Sequence, residues 1–144
     1  MPTRRASATW EGGLKGGKGK FNGEGGSIGG QYSFSSRFES GVGSNPEELL
    51  AAAEAACFSM ALAGDLEKNG TPSTSVETEA ASTVSPDPAG GFSIKSIALD
   101  VTAVVPGIDD AKFQEIAAGT LKNCPVSKTF RGNLELTVNA KLNR

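Results

Sequence analysis

A chain of 144 residues with 38% hydrophobic residues fits one compact domain, residues 1–144, with enough apolar side chain to bury a core. Its net charge of −2 and its 6% aromatic content supply neither the basic field nor the stacking surface of a nucleic-acid binder. It has no histidine, which excludes Ser-His-Asp and Cys-His hydrolases and His-ligated metals, and its two cysteines are too few to close a tetrahedral zinc site. Covalent chemistry is left to Cys, Lys, Ser, Thr or a carboxylate. No apolar run of the roughly 18–20 residues that cross a bilayer is expected. Arg4 and Arg5 are not followed by the apolar stretch of a secretion signal. The expected setting is therefore cytoplasmic, with neither membrane nor nucleic acid as a partner.

Residues 11–30 hold 10 of the 19 glycines. Gly12 to Lys18 has the glycine spacing of a phosphate-binding loop, but Gly19 stands where Ser or Thr must hold the metal, and no apolar helix follows. The segment predicts short antiparallel strands joined by tight glycine turns. Gln31–Arg37 alternates and is expected to be a strand, with Tyr32 and Phe34 on one face and Arg37 on the other. There Arg37 either reaches water or faces a site built by another element.

Asn45 is a helix N-cap, Pro46 suits the first helical position, and Glu47 and Glu48 oppose the macrodipole. The helix is expected to end near Lys68-Asn69-Gly70. Apolar or small residues cover most of its circumference, the pattern of a helix buried at the centre of a structure. A chain this short cannot cover it on all sides, so a partner subunit is expected. Residues 74–84 alternate as a strand, Pro86–Gly91 is a turn, and Phe92–Val105 is a strand whose phase changes at Lys95-Ser96, as a bulge would cause. Asp109 or Asp110 caps a second helix with Phe113, Ile116, Ala117 and Leu121 on one stripe, stopped at Asn123-Cys124-Pro125. A last strand runs through Leu134, Leu136, Val138, Ala140 and Leu142. The fold class is α+β.

The two cysteines have three readings: buried small hydrophobes, a structural disulfide or a redox pair. Cys57 lies mid-helix on an alanine-rich wall. Apolar burial alone would leave its thiol inert, so a thiolate there needs a cation, and Arg37 is the candidate. Cys124 closes a helix, where the macrodipole opposes negative charge, which suits a resolving thiol.

Asn45-Pro46-Glu47-Glu48-Leu49-Leu50 followed by Ala55-Ala56-Cys57-Phe58-Ser59-Met60-Ala61-Leu62 resembles the OsmC/Ohr family of osmotically inducible and organic hydroperoxide resistance proteins. Arg37-Phe38-Glu39, Val105-Pro106-Gly107-Ile108-Asp109 and Cys124-Pro125-Val126-Ser127 fall where that family has them, and the similarity runs from Trp10-Glu11-Gly12 to the last strand. Arg-Phe-Glu and Phe-Ser-Met look like the OsmC branch. Glu54 departs from it, standing where OsmC sequences often carry His; a carboxylate three residues before the cysteine, on a shared helix face, opposes thiolate formation.

The resemblance implies antiparallel sheets packed around two central helices in an intertwined homodimer. It implies cofactor-free and metal-free reduction of organic hydroperoxides. Cys57 is the expected peroxidatic residue and Cys124 the resolving one, with Arg37 and Glu47 as supporting charges. The thiolate would attack the O–O bond to give an alcohol and a sulfenic acid, and Cys124 would condense with it to a disulfide. A lipoyl-type dithiol or small thiol would reopen it. Ten residues of helix separate Glu47 from Cys57, about 15 Å of rise. Either Arg37 bridges that gap or a second subunit supplies its own Glu47. The competing class is a stress-protective binding protein or a redox sensor, in which the cysteines do not turn over peroxide.

Overall fold

The computed structural model describes residues 1–143. It divides into two compact units, Met1–Leu49 and Leu50–Arg144, described here one at a time.

In the first unit, strands β1 (Ala6–Glu11), β2 (Lys18–Gly23) and β3 (Gly29–Tyr32) form an antiparallel sheet in that order. The glycine-rich segment is hairpin, as its composition predicts. Gly12 takes a φ of +90° in the first turn. Gly19 is needed for a different reason: a Cβ there would lie 2.5 Å from the Tyr32 ring and 2.7 Å from that of Trp10. Those rings pack with centroids 5.5 Å apart over the glycine.

The predicted strand through Arg37 is corrected by the structure. The strand stops at Tyr32, and Phe34–Phe38 is a short helix, α1. Ser33 caps it in a reciprocal box with Ser36, each side chain bonding the other's backbone N–H. Phe34 and Phe38, one turn apart, stack with centroids 5.1 Å apart. Arg37 therefore follows the period of a helix rather than the alternation of a strand, and its guanidinium lies 5.0 Å from the Phe38 ring.

Helix α2 (Pro46–Lys68) begins in the first unit and continues into the second. Asn45 caps it by accepting from the Glu48 N–H at 2.8 Å, and its amide donates to the Ser36 carbonyl at 3.1 Å. By length and composition alone α2 is apolar enough to cross a membrane, contrary to expectation. Its buried stripe in the second unit is Glu54, Phe58, Leu62 and Leu66, at helical i, i+4 spacing. Part of its circumference stays open: Ala52, Ala53 and Ala56 are exposed, and Met60 is 76% exposed.

In the second unit, β4 (Ser75–Pro86), β5 (Phe92–Val104) and β6 (Glu135–Asn143) form a sheet with β5 central. Thr83 pairs with Ser96 and Val84 with Ile94, so Lys95 is the extra residue of the bulge that the phase change predicts. Strands β4 and β5 pair antiparallel, but β5 and β6 pair parallel, which corrects the all-antiparallel expectation. A parallel pair requires a crossover, supplied here by α3 (Asp110–Asn123) and α4 (Pro125–Phe130). The buried face of β5 (Ile97, Leu99, Val101, Ala103) joins Phe58, Leu62 and Leu66 of α2 and Phe113 and Ala117 of α3 in one core. Asp109 is the N-cap of α3, its carboxylate accepting from the Lys112 N–H at 2.8 Å.

Candidate functional site

Helix α2 carries Cys57 one residue before the fully buried Phe58, so the thiol lies at the margin of the core, half-buried. Cys124 stands between two helices, the last residue of α3's cap and the N-cap of α4. Pro125 forces this break: the residue before a proline avoids helical geometry, and Cys124 accordingly has φ −56° and ψ 129°. The turn is packed inward, leaving Cys124 1% exposed.

The structure brings the two thiols together. The Cys124 thiol and the Val126 backbone N–H both act on the Cys57 sulfur, and both cysteines are free. Burial, and then the Cys124 hydrogen bond, push the Cys57 thiol above its ordinary range. The Val126 N–H pulls the other way, while the charges of Cys124 and Glu54 add to the upward push. Left to these neighbours, Cys57 is a protonated thiol at neutral pH.

Arg37 and Glu47 are also brought together, within the first unit. Arg37 donates through Nη2 to Glu47 Oε1 at 2.8 Å and through Nε to both carboxylate oxygens at 3.1 and 3.3 Å. Glu47 is 5% exposed, so the pair is a charge-assisted fork with a buried acceptor. The two pairs belong to different units: Arg37 and Glu47 to one, Cys57 and Cys124 to the other.

Glu54 lies on the Cys57 side of α2 and is fully buried. Its Oε1 accepts from the Ser127 hydroxyl at 2.5 Å, while its Oε2 has no hydrogen-bond partner among the described residues. Burial holds the Glu54 carboxyl above the usual carboxylate range, partly offset by the Ser127 bond. The sequence flags Glu54 by its spacing from Cys57. It gives no signal for Val126 or Ser127 as contacts, because both depend on how α4 docks. Among the described residues, no three His, Cys, Asp or Glu side chains gather as metal ligands would.

The fold and site define an α+β protein with a pair of free thiols, one at the core margin and one at a helix break. Residues 39–139 match the family model "OsmC-like protein", and the chain belongs to that family. It is 43% identical over 140 residues to the peroxiredoxin OsmC of Escherichia coli K12, covering 96% of both chains. It is 34% identical over 100 residues to the organic hydroperoxide resistance protein of Xanthomonas axonopodis pv. citri, covering 68% of this chain and 67% of that one. The crystal structure of the organic hydroperoxide resistance protein OhrB of Bacillus subtilis aligns with a TM-score of 0.75 at 28% identity, over 95% of this chain and 98% of that one.

Proposed function

We propose that the protein is a cofactor-free, thiol-dependent peroxidase that reduces organic hydroperoxides to alcohols in the cytoplasm. The observation that carries this reading is a pair of free thiols close enough to act on each other, Cys57 half-buried on α2 and Cys124 buried at the break between α3 and α4. The Cys57 thiolate attacks the O–O bond of ROOH, forming Cys57–SOH and expelling RO−, which takes a proton to leave as ROH. The Cys124 thiol displaces hydroxide from the sulfenic acid, giving the Cys57–Cys124 disulfide and water. An external dithiol, lipoyl-type or a small thiol, reopens it by exchange.

The raised Cys57 thiol needs a cation to ionise. In this reading Arg37, held by Glu47, supplies it from a second subunit of a homodimer. The exposed Ala53, Ala56 and Met60 beside Cys57 support both the dimer and the substrate class. An alkyl group buried against them gains about 0.8 kcal/mol per methylene, which hydrogen peroxide cannot. Phe58 takes no part in that surface, since it faces the core.

The test is thiol-coupled consumption of cumene hydroperoxide by catalytic amounts of protein. Wild type should turn over, Cys57→Ser should not, and Cys124→Ser should react once and then over-oxidise. Cumene hydroperoxide should react faster than hydrogen peroxide. A sulfenic or sulfinic adduct on Cys124 instead of Cys57 would reverse the assignment, and a disulfide that forms without cycling would favour a redox sensor.

A further inference from the structure

Glu54 is a buried acid that the scheme above does not use. It has one oxygen on Ser127, one oxygen without a partner, and, among the described residues, no Lys or Arg paired with it. Leaving a carboxyl oxygen orphaned costs about 1–3 kcal/mol, so the position is an expensive way to fill space that Leu or Met would fill. What Glu54 touches accounts for it. Ser127 lies on α4, in the same turn as Cys124 and Val126, and is 1% exposed. Three interactions join that turn to α2: those of the Cys57 sulfur with the Cys124 thiol and with the Val126 N–H, which shift the thiol, and the Ser127–Glu54 hydrogen bond. The first two involve the Cys57 sulfur and change when it is oxidised. The third does not.

We propose that Glu54 is a positioning residue for disulfide formation: through Ser127 it keeps the Cys124 turn docked on α2 while the Cys57 sulfur is a sulfenic acid and its own contacts are broken. The inference rests on the two-cysteine reading. The step it serves is Cys57–SOH + Cys124–SH → Cys57–S–S–Cys124 + H2O, in which the thiol sulfur must reach the sulfenic sulfur before a second hydroperoxide does. A loose α4 leaves the first attack intact and slows the second step, so Cys57 goes on to the sulfinic acid.

The test follows formation of the Cys57 sulfenic acid and closure of the disulfide separately, by rapid quench and mass spectrometry on the full-length reduced protein. Three forms are compared: wild type, Glu54→Gln, and the double variant Glu54→Met/Ser127→Ala. Gln keeps an oxygen for the Ser127 hydroxyl. The double variant removes donor and acceptor together and leaves no orphan, so it should fold as well as wild type.

With cumene hydroperoxide, the double variant should form the sulfenic acid at least as fast as wild type. Its closure should slow by about tenfold or more, with sulfinic acid accumulating. Glu54→Gln should close at a rate close to that of wild type. A second arm uses the azo oxidant diamide, which adds to Cys57 and is then displaced by Cys124; closure of that adduct should show the same order. If the double variant closes as fast as wild type, if Glu54→Gln is as slow as the double variant, or if attack and closure are lost in equal measure, the inference is overturned. Should wild-type Cys57 prove inert to hydroperoxides, the peroxidase reading fails while the diamide arm still decides the role of Glu54.

Discussion

At Cys57, every neighbour but one opposes ionisation. Burial, Cys124 and Glu54 push the thiol up, and only the Val126 N–H draws it down. Glu54 is itself pushed up by burial, and that has a consequence for stability. A carboxyl raised in the folded state holds its proton when the unfolded chain has lost its own. Its favourable contribution is complete below the ordinary glutamate value of about 4.3 and is lost as pH climbs through the folded value. Glu54→Gln cannot titrate. Its unfolding free energy relative to wild type should therefore improve as pH rises from the acid side of that range towards neutrality. Denaturant unfolding of the reduced proteins at a series of pH values checks this, and a pH-independent difference would place Glu54's proton outside the folding equilibrium.

At the scale of elements, the junction between α1 and α2 rests on Asn45, which caps α2 and also grips the Ser36 carbonyl of α1. These two elements carry Arg37 and Glu47. Asn45→Ala should cost about 1 kcal/mol of stability, the usual effect of losing a cap. Because it also frees α1, kcat/KM should fall by more than the stability loss explains. Equal activity with a lowered denaturation midpoint would separate the cap from the site. The sequence already contained the bounds of α2, the Asp109 cap, the Lys95 bulge and the helix stop at Cys124, because each is written in local chemistry: a capping side chain, a phase change, a proline. Helix α1 was hidden because Tyr32 and Phe34 mimic alternation and its box is closed by Ser36 rather than by Glu or Gln. The direction of β6 is not legible there either, since strand polarity depends on the crossover and not on the strand's own residues. Among site residues, Cys57, Cys124, Arg37 and Glu47 carry recognisable chemistry. Ser127 and Val126 become contacts only once α4 has docked.

At the scale of the whole molecule, the Arg37–Glu47 pair and the thiol pair fall in different compact units, and the open side of α2 is small and apolar. Two such helices crossing antiparallel would bring the start of one towards the middle of the other. A mixed dimer tests whether the charges act in trans. In the proposed homodimer, the Cys57→Ser and Arg37→Ala/Glu47→Ala forms should each be inactive. Exchanging their subunits should restore activity at one of two sites, the other carrying both defects. No recovery after verified exchange would mean that the charges serve the thiol of their own chain.

The parallel pairing of β5 with β6 also sets the order in which the second unit can assemble. Strands β4 and β5 are joined by a short turn and can zip together as soon as both exist. The other edge of β5 waits until α3 and α4 have been made and β6 delivered beyond them. Through that interval Ile97, Leu99 and Val101 lie on a strand with an open hydrogen-bonding edge, the template that invites pairing with a neighbouring chain. Non-local closure of this kind slows folding, so yield of native protein should depend on concentration during refolding, and the β4–β5 hairpin is where aggregates are expected to begin.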